Sequence, residues 1–228
     1  MTTRAFARLM NVSAGIVAAL WVALAASTAA DAGRVHTFDR DAPNRPPAGF
    51  VFAAMRQSDA GRWRVRRQGS TAALVHDANA AADGYALAVE DRPPGRPASL
   101  SARVRLEGGA RSGGLVWRYT DAQNYDALVL DLRRGTLALY RVRDGNRVRV
   151  EFEDDLELDP AGWHTLQVKL DADATRASIG GVRVFAHHHD DRRAHDVSVG
   201  RVGLVATGDS TVAFDDLRVE AGREDRDR

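Results

Sequence analysis

Apolar and polar residues alternate with a period of two along short runs that fill most of the chain beyond residue 60. Two of these runs flank Asp144-Gly145, a dipeptide that favours a tight two-residue hairpin turn. Gly, Asp and Asn separate the other runs, and no segment has a convincing helical period. The pattern predicts an antiparallel sandwich or barrel. The predicted strands are Trp63–Arg67, Ala72–His76, Tyr85–Val89, Ser99–Arg105, Gly114–Tyr119, Tyr125–Leu132, Thr136–Arg143, Asn146–Phe152, Trp163–Asp171, Arg176–Ile179, Val182–Phe185, Val202–Ala206 and Thr211–Val219.

The hairpins between residues 113 and 153 predict which side chains share a face of the sheet. A turn at Arg133-Arg134 or Arg134-Gly135 and a symmetric loop over Thr120–Asn124 extend the register to the neighbouring strands. The predicted core face carries Val116, Leu128, Leu130, Leu137, Leu139, Val148, Val150 and Phe152. The predicted opposite face carries Trp117, Tyr119, Tyr125, Tyr140, Arg147, Arg149 and Glu151.

That opposite face has two interpretations. Aromatic rings beside charged side chains are typical of a surface on which sugar rings stack while the charged groups bind hydroxyls, so the residues predict carbohydrate binding. The alternative is a second apolar layer under a loop.

The amino terminus has the pattern of a secretory signal peptide. Arg4 and Arg8 precede an apolar run over residues 12–26, and small residues end at Ala32. We therefore predict a signal peptide over 1–32, an extended lead-in over 33–49, the sandwich domain over 50–221 and a charged tail over 222–228. The expected location is periplasmic or secreted, with no membrane contact after cleavage; an uncleaved membrane anchor is the alternative.

The composition excludes some kinds of chemistry and argues against one class of partner. The chain has no cysteine, which excludes disulfides and thiolate chemistry, and its only lysine is Lys169. The formal net charge is +1, and removal of residues 1–32, with two arginines and one aspartate, leaves zero. A neutral chain argues against nucleic acid as a partner.

Four segments in order and spacing resemble the concanavalin A-like lectin/glucanase superfamily. They are GGLVWRYTDAQNYDALVLD from Gly113, AGWHTL from Ala161, the Gly180-Gly181 turn, and GRVGLVATGDSTVAFDDLRV from Gly200. Within that superfamily the chain resembles the 3-keto-disaccharide hydrolase family, a family 16 glycoside hydrolase-like domain. The resemblance implies a two-sheet antiparallel jelly-roll sandwich whose concave sheet meets carbohydrate, and hydrolysis of glycosides or 3-keto-glycosides.

The hairpin register also brings charged residues together. Arg118 is expected opposite Asp126, with Arg141 beside it, and these residues suit a sugar-orienting or catalytic cluster in which Asp126 acts as a base. The alternative is a structural ion network that caps the sandwich. Glu153, Asp155 and Glu157 have the alternate spacing of family 16 glucanase carboxylates, but an acidic solvated loop is the alternative.

Metal binding has two candidates. Asp215 and Asp216 stand where sandwiches of this resemblance hold a structural calcium ion, and edge charges that deter aggregation are the alternative. The histidine-rich segment suits a transition metal or an ordinary loop; it comprises His187, His188, His189, Asp190, Asp191 and His195. His164 alternates with Leu166 and Val168 and is expected at the core margin. No other cofactor is indicated.

Together these observations predict an exported β-sandwich that binds carbohydrate, with hydrolysis as the activity that the resemblance implies. The alternative is a non-catalytic structural or adhesion module of the cell envelope.

Overall fold

The structure, a computed structural model, describes residues 33–55, 60–78, 84–93, 95–189 and 199–222. These ranges form fifteen strands and no α-helix, as the alternating pattern predicts. No helix within them is long and apolar enough to cross a bilayer. The strands are β1 (Arg34–His36), β2 (Phe50–Ala54), β3 (Arg62–Gln68), β4 (Thr71–Asp77), β5 (Tyr85–Glu90), β6 (Pro97–Gly109), β7 (Ser112–Asp121), β8 (Asn124–Asp131), β9 (Thr136–Arg143), β10 (Asn146–Glu153), β11 (His164–Leu170), β12 (Ala174–Ile179), β13 (Val182–His188), β14 (Arg201–Thr207) and β15 (Ser210–Ala221).

Two antiparallel sheets face each other. The seven-stranded sheet has the order β10-β9-β8-β7-β14-β5-β2. The eight-stranded sheet has the order β13-β12-β11-β6-β15-β4-β3, and β1 pairs with β15 beside that path. The predicted all-β two-sheet antiparallel sandwich is therefore confirmed.

The hydrophobic core lies between the sheets. Val104 and Phe214 come from the eight-stranded sheet, Leu115, Leu128 and Leu204 come from the seven-stranded sheet, and all are fully buried in one apolar cluster. Each such side chain contributes about 1.5–3 kcal/mol when it leaves water. This core stabilises a chain that has no disulfide.

Each predicted strand is present, but β1 and β2 were not predicted. β1 lies in the expected lead-in and is held by contacts remote in sequence. The Arg34 Nε donates to both carboxylate oxygens of Glu90 at 2.9 Å, and His36 Nε2 lies 2.7 Å from the same carboxylate. The expected signal peptide and residues 223–228 of the expected tail lie outside the described residues.

The central hairpin has the predicted faces. Leu128 and Leu130 of β8 and Leu137 and Leu139 of β9 are all buried in the inter-sheet core. In the next hairpin, the β9–β10 turn residues Asp144 and Gly145 have φ of 51° and 73°, the left-handed values that a tight primed turn needs.

On β7 the predicted faces are wrong. A bulge at Arg118, whose φ is 52°, pairs Trp117 rather than Arg118 with Asp126. Trp117 therefore lies in the inter-sheet core with 0% exposure, and Val116 lies on the opposite face. Gly200 permits this bulge, because a Cβ there would lie 2.4 Å from the Arg118 Cα.

A second bulge changes the faces on which the later side chains of β10 lie, so the prediction for this strand is partly wrong. The register shifts between Arg149 and Glu151, so Phe152 pairs with Ala138 on the outward face and Glu151 leaves that face. Phe152 and Val148 were predicted as core residues, yet they are 41% and 57% exposed. Phe152 is exposed because it now lies on the outward face, and Val148 is exposed because β10 is an edge strand that the opposite sheet does not cover at this position.

Candidate functional site

A contact between two tyrosines on distant strands indicates that the outward face of the seven-stranded sheet is concave. Tyr85 of β5 and Tyr140 of β9 project from that face, and their ring centroids lie 6.4 Å apart although β8, β7 and β14 separate their strands. Strands spaced about 4.8 Å apart would place these two strands about 19 Å apart in a flat sheet. The rings can meet only because the sheet curves and the side chains lean inward.

Arg147 completes this contact. Its guanidinium lies 4.9 Å from the ring centroid of Tyr85 and 5.0 Å from that of Tyr140, so a cation–π stack joins β5, β9 and β10 across the concave face. Burial raises the pKa of Tyr85 far above its usual value, against a smaller lowering by Arg147. The phenol therefore stays neutral. The Tyr85–Arg147–Tyr140 stack, which we call the wall, divides the concave face into two halves, because Tyr85 and Tyr140 pack against an apolar cluster on one side and line an open cleft on the other.

One half is filled by side chains. Tyr125 is fully buried and its hydroxyl donates to the Met55 Sδ at 3.5 Å, while the Tyr119 ring lies 6.3 Å from the Tyr125 ring. Val116 and Val142 pack in the same apolar cluster. Tyr119 and Tyr125 lie on the predicted face, but they form a second apolar layer and not an open platform.

The other half is an open cleft of about 520 Å³. Its floor consists of small side chains from neighbouring strands, which leaves a depression beside the taller Tyr85–Arg147–Tyr140 wall. Val129 and Ala138 form one cross-strand pair of the floor, and Ser112 and Thr207 come from β7 and β14. This volume is typical of small-ligand sites.

The cleft is rich in arginine. Arg133 and Arg134 come from the β8–β9 turn, and Arg147 and Arg149 come from β10; all four are exposed. Asp131 supplies a carboxylate, whose Oδ1 accepts hydrogen bonds from the backbone amides of Arg133 and Arg134 at 3.0 and 3.1 Å. We call Arg133, Arg134, Arg147 and Arg149 the cleft arginines.

A second arginine cluster lies on the opposite face of the same strands, inside the sandwich. Asp126 lies at its centre: the Arg118 Nη1 is 2.9 Å from its Oδ2, and the Arg143 Nη2 and Arg141 Nε are 3.0 and 3.9 Å from its Oδ1. The side chains of Arg118 and Asp126 are only 7% and 4% exposed. Arg141 and Arg143 reach Asp126 from the edge of the sandwich, because their side chains are 42% and 40% exposed. We call Arg118, Arg141 and Arg143 the interior arginines after the buried carboxylate that they share. The predicted proximity of Arg118, Asp126 and Arg141 is confirmed, and Arg143 joins them.

Strands of the other sheet close over this cluster. Thr175, His187 and His189 line a narrow gap beside Arg118 and Asp126. His187 Nδ1 lies 3.7 Å from a carboxylate oxygen of Glu151, and this contact joins the two sheets at their edges. Burial, followed by the charge of Arg118, lowers the pKa of His189. Glu151 therefore belongs to the interior side and not to the cleft, which corrects its predicted place among the aromatic residues.

The structure contradicts the predicted row of three carboxylates and confirms the prediction for His164. Glu153 ends β10, while Asp155 and Glu157 lie in an irregular segment, so the three carboxylates do not alternate along one strand. Asp155 has a φ of 56°, which is not a strand conformation. His164 is buried and its Nε2 lies 2.8 Å from the carbonyl oxygen of Asp159, which confirms the expected partnered histidine at the core margin.

The two aspartates predicted as calcium ligands form ion pairs with arginines. Arg103 Nη1 lies 3.4 Å from Asp215 and 3.7 Å from Asp216, and Arg218 donates to Asp216 at 2.9 Å. Guanidiniums at these positions repel a cation, so the site does not fit calcium. Within the part of the chain that the structure describes, no group of three or more His, Cys, Asp or Glu is arranged to hold a metal. Asp190, Asp191 and His195 lie outside that part.

Sequence reasoning missed several cleft residues. Tyr85 lies in a run of buried residues whose partners in the sheet, β2 and β14, are distant in the chain. Arg133 and Arg134 were predicted only as turn residues, and Asp131 only as part of the strand Tyr125–Leu132. The alternation of Asp131 with Val129 was an available signal, because both project from the face opposite Leu128 and Leu130.

Neither a protein-family model nor a curated protein sequence matches the chain. Solved structures are similar in fold. The carbohydrate-binding module CBM66 from Bacillus subtilis has a TM-score of 0.60 at 17% identity, covering 75% of this chain and 95% of that one. A native glycosidic hydrolase has a TM-score of 0.57 at 11% identity, with coverage of 85% and 97%. A family 16 enzyme of the Bacteroides ovatus mixed-linkage glucan locus has a TM-score of 0.51 at 9% identity, covering 75% of this chain and 94% of that one.

At these identities the similarity shows the fold alone. The chain has the concanavalin A-like or galectin-like β-sandwich fold, and carbohydrate-binding modules and glycoside hydrolases are among its structural neighbours. The narrower resemblance to 3-keto-disaccharide hydrolases stays a prediction.

Proposed function

We propose that this protein is a carbohydrate-binding β-sandwich whose binding site is the cleft on the concave sheet. The observation that carries the proposal is the Tyr85–Arg147–Tyr140 wall beside a depression of about 520 Å³. Aromatic rings offer a surface for the C–H faces of a sugar, and guanidinium groups donate hydrogen bonds to its oxygens. The carbohydrate-binding neighbours of the same fold support a sugar as the ligand.

The proposal does not include catalysis. Hydrolysis of a glycosidic bond ordinarily uses two carboxyl groups on either side of it. Asp131 is the carboxylate among the described residues that line the cleft. Asp126 lies on the other face of β8 between the interior arginines, where its carboxylate is bound to Arg118 and Arg143. Hydrolysis of glycosides or 3-keto-glycosides by Arg118 and Asp126 therefore stays a prediction from the resemblance.

Calorimetric titration of wild-type protein with a panel of neutral and acidic oligosaccharides tests the binding proposal. Replacing Tyr140 by Ala should weaken binding by more than about 1 kcal/mol, about fivefold in Kd, because the wall loses a ring. Y140F keeps the ring and should bind as the wild type does. The matched control is W163A, because Trp163 stacks with Arg103 and Arg105 at 4.8 and 4.9 Å on the eight-stranded sheet.

Two outcomes would contradict the proposal. Absence of binding to every saccharide of the panel favours the structural or adhesion module, and loss of binding in W163A but not in Y140A places the site on the other sheet. Reducing-sugar release, measured with the same saccharides, decides separately whether the protein is an enzyme.

We also propose that the protein is exported to the periplasm or beyond. Arg4, Arg8 and the apolar run after them support a cleaved leader. Intact-mass measurement of protein recovered from the periplasmic and extracellular fractions should give a chain that begins at or near Gly33. Retention of Met1 in a membrane fraction would show an anchor.

A further inference from the structure

The cleft has more positive charge than its own residues neutralise. Four guanidiniums line it against the carboxylate of Asp131, a surplus of three charges. That carboxylate also has a local role, because its Oδ1 holds the backbone amides of the β8–β9 turn. Its ion pair with Arg134 spans 3.8 Å, and the Arg134 side chain is 81% exposed, so this pair is weak.

The other cleft arginines form no ion pair with a carboxylate of the described residues. Arg147 is held over the rings of Tyr85 and Tyr140, and the Arg149 guanidinium lies 3.9 Å from the Phe152 ring centroid. These stacks orient the planes of two guanidiniums, and the ring contacts themselves use no hydrogen-bond donors. Arg147 also forms a hydrogen bond with the Tyr85 side chain, and its other donors face the cleft. Their orientation is therefore established before any ligand arrives.

Arginine-rich regions elsewhere in the described chain contain their own carboxylates. Arg62 and Arg64 share Asp77, and Arg66 and Arg105 share Glu107. Arg67 is an exposed arginine of the same strand as Arg64 with no aromatic stack, and it provides a natural comparison. Only in the cleft do pre-oriented guanidiniums, aromatic rings and a ligand-sized depression occur together among these regions.

We propose that the ligand of the cleft is an acidic saccharide, with the carboxylate of a uronic acid residue bound by the cleft arginines. This inference rests on the proposed function and specifies its substrate class. A planar carboxylate accepts two parallel hydrogen bonds from one guanidinium fork, which a hydroxyl group cannot do. The Tyr85 and Tyr140 rings, with the small floor, suit a saccharide better than a nucleic acid, since the cleft holds only a few sugar units.

The test compares each uronic acid oligosaccharide with its own methyl ester, which has the same rings and linkages without the charge. We use oligomers of galacturonic, glucuronic and mannuronic acid and measure Kd by calorimetry. At least one free acid should bind about tenfold or more tightly than its ester, because a hydrogen bond to a charged group is stronger than one to a neutral group. This difference should shrink when the salt concentration rises from about 50 to about 500 mM.

Variants connect the effect to the cleft. R149Q and R133Q should each reduce the preference for acid over ester, and the double variant should remove most of it. R67Q changes an exposed arginine of the eight-stranded sheet and should leave both Kd values unchanged. Thermal unfolding confirms that each variant keeps the fold.

The outcomes separate the two proposals. Equal binding of acid and ester, or binding of neutral saccharides alone, overturns the acidic ligand and leaves carbohydrate binding intact. No binding of any saccharide overturns the proposed function as well. Tighter binding of single-stranded RNA than of every uronic acid oligomer would overturn the acidic saccharide in favour of a general polyanion site.

Discussion

The interior arginines and the cleft arginines lie on opposite faces of strands β7 to β10, yet their surroundings differ. Inside the sandwich, Asp126 has Arg118, Arg141 and Arg143 within 4 Å and is almost inaccessible to water. On the concave face, Arg147 and Arg149 stack on aromatic rings and remain open to solvent. The same residue type therefore contributes to stability on one face and is available for binding on the other.

The difference has a physical cause. Leaving water is costly for a buried guanidinium without a carboxylate, so the buried position of Arg118 depends on its ion pair with Asp126. A solvated guanidinium pays no such cost and keeps its donors free for a ligand. Aromatic stacking orients it at little expense.

The largest expected effect tests whether the inner face of β7 is core. Trp117→Ala should lower the free energy of unfolding by about 3–5 kcal/mol, because a large ring that is 0% exposed leaves a cavity between the sheets. Urea denaturation measures this. A loss below about 1 kcal/mol would mean that Trp117 lies on the cleft side and that the sequence-based assignment of its face was right.

The next effect tests the interior cluster. Asp126→Asn keeps the shape of the side chain but leaves the Arg118 guanidinium without its charge partner, so we expect a loss of about 3 kcal/mol in the free energy of unfolding. Asp131→Asn is the control on the cleft face; its amide oxygen still accepts the turn bonds, and the change should stay within about 0.5 kcal/mol. Equal losses in the two variants would erase the contrast between the faces.

A smaller effect depends on pH. Burial and the charges of Arg118, His187 and Arg141 lower the pKa of His189, against an opposing contribution from Asp126. The unfolded chain then takes up a proton near pH 6.5 while the folded chain resists it, so the stability present above that pH falls as the pH drops toward the folded-state pKa. H189Q should flatten this decline, as urea denaturation from pH 7.5 to about 5 can show. An unchanged slope would mean that burial and the neighbouring charges do not lower the pKa of His189.

The smallest effect tests the edge strand. Val148→Ser should change the free energy of unfolding by less than about 0.5 kcal/mol, because the side chain is 57% exposed. Val142→Ser, at a buried position of the neighbouring strand, is the comparison and should cost clearly more, since it places a hydroxyl in an apolar layer. A large loss for Val148→Ser would show that the opposite sheet covers β10 after all.

The sequence-based assignment of side chains to the two faces is right for some strands and wrong for others. Leu128, Leu130, Leu137 and Leu139 were assigned correctly because a tight turn ties β9 to its neighbour and the alternation is unbroken there. Trp117 was assigned wrongly because the bulge at Arg118 shifts β7 by one residue. A bulky residue at positive φ is uncommon, and nothing in the local sequence signals it.

The candidate site was predicted in part. Tyr140, Arg147 and Arg149 line the cleft as the hairpin register indicated, and Arg118, Asp126 and Arg141 meet as expected. Tyr85 was missed, because its contact with Tyr140 depends on the curvature of the sheet.

The sequence by itself determined the antiparallel strands, their turns and the face of each strand as far as the alternation continued without a bulge, because these features depend on neighbouring residues. Only the tertiary structure decided where the alternation is interrupted and which sheet curves. A shift of one residue moves every later side chain to the other face. The shift at Arg118 is stabilised by the ion pair with Asp126 of β8, and Gly200, just before β14, leaves room for it. Curvature likewise arises from the packing of whole sheets, and it is curvature that brings Tyr85, Tyr140 and Arg147 together into a wall.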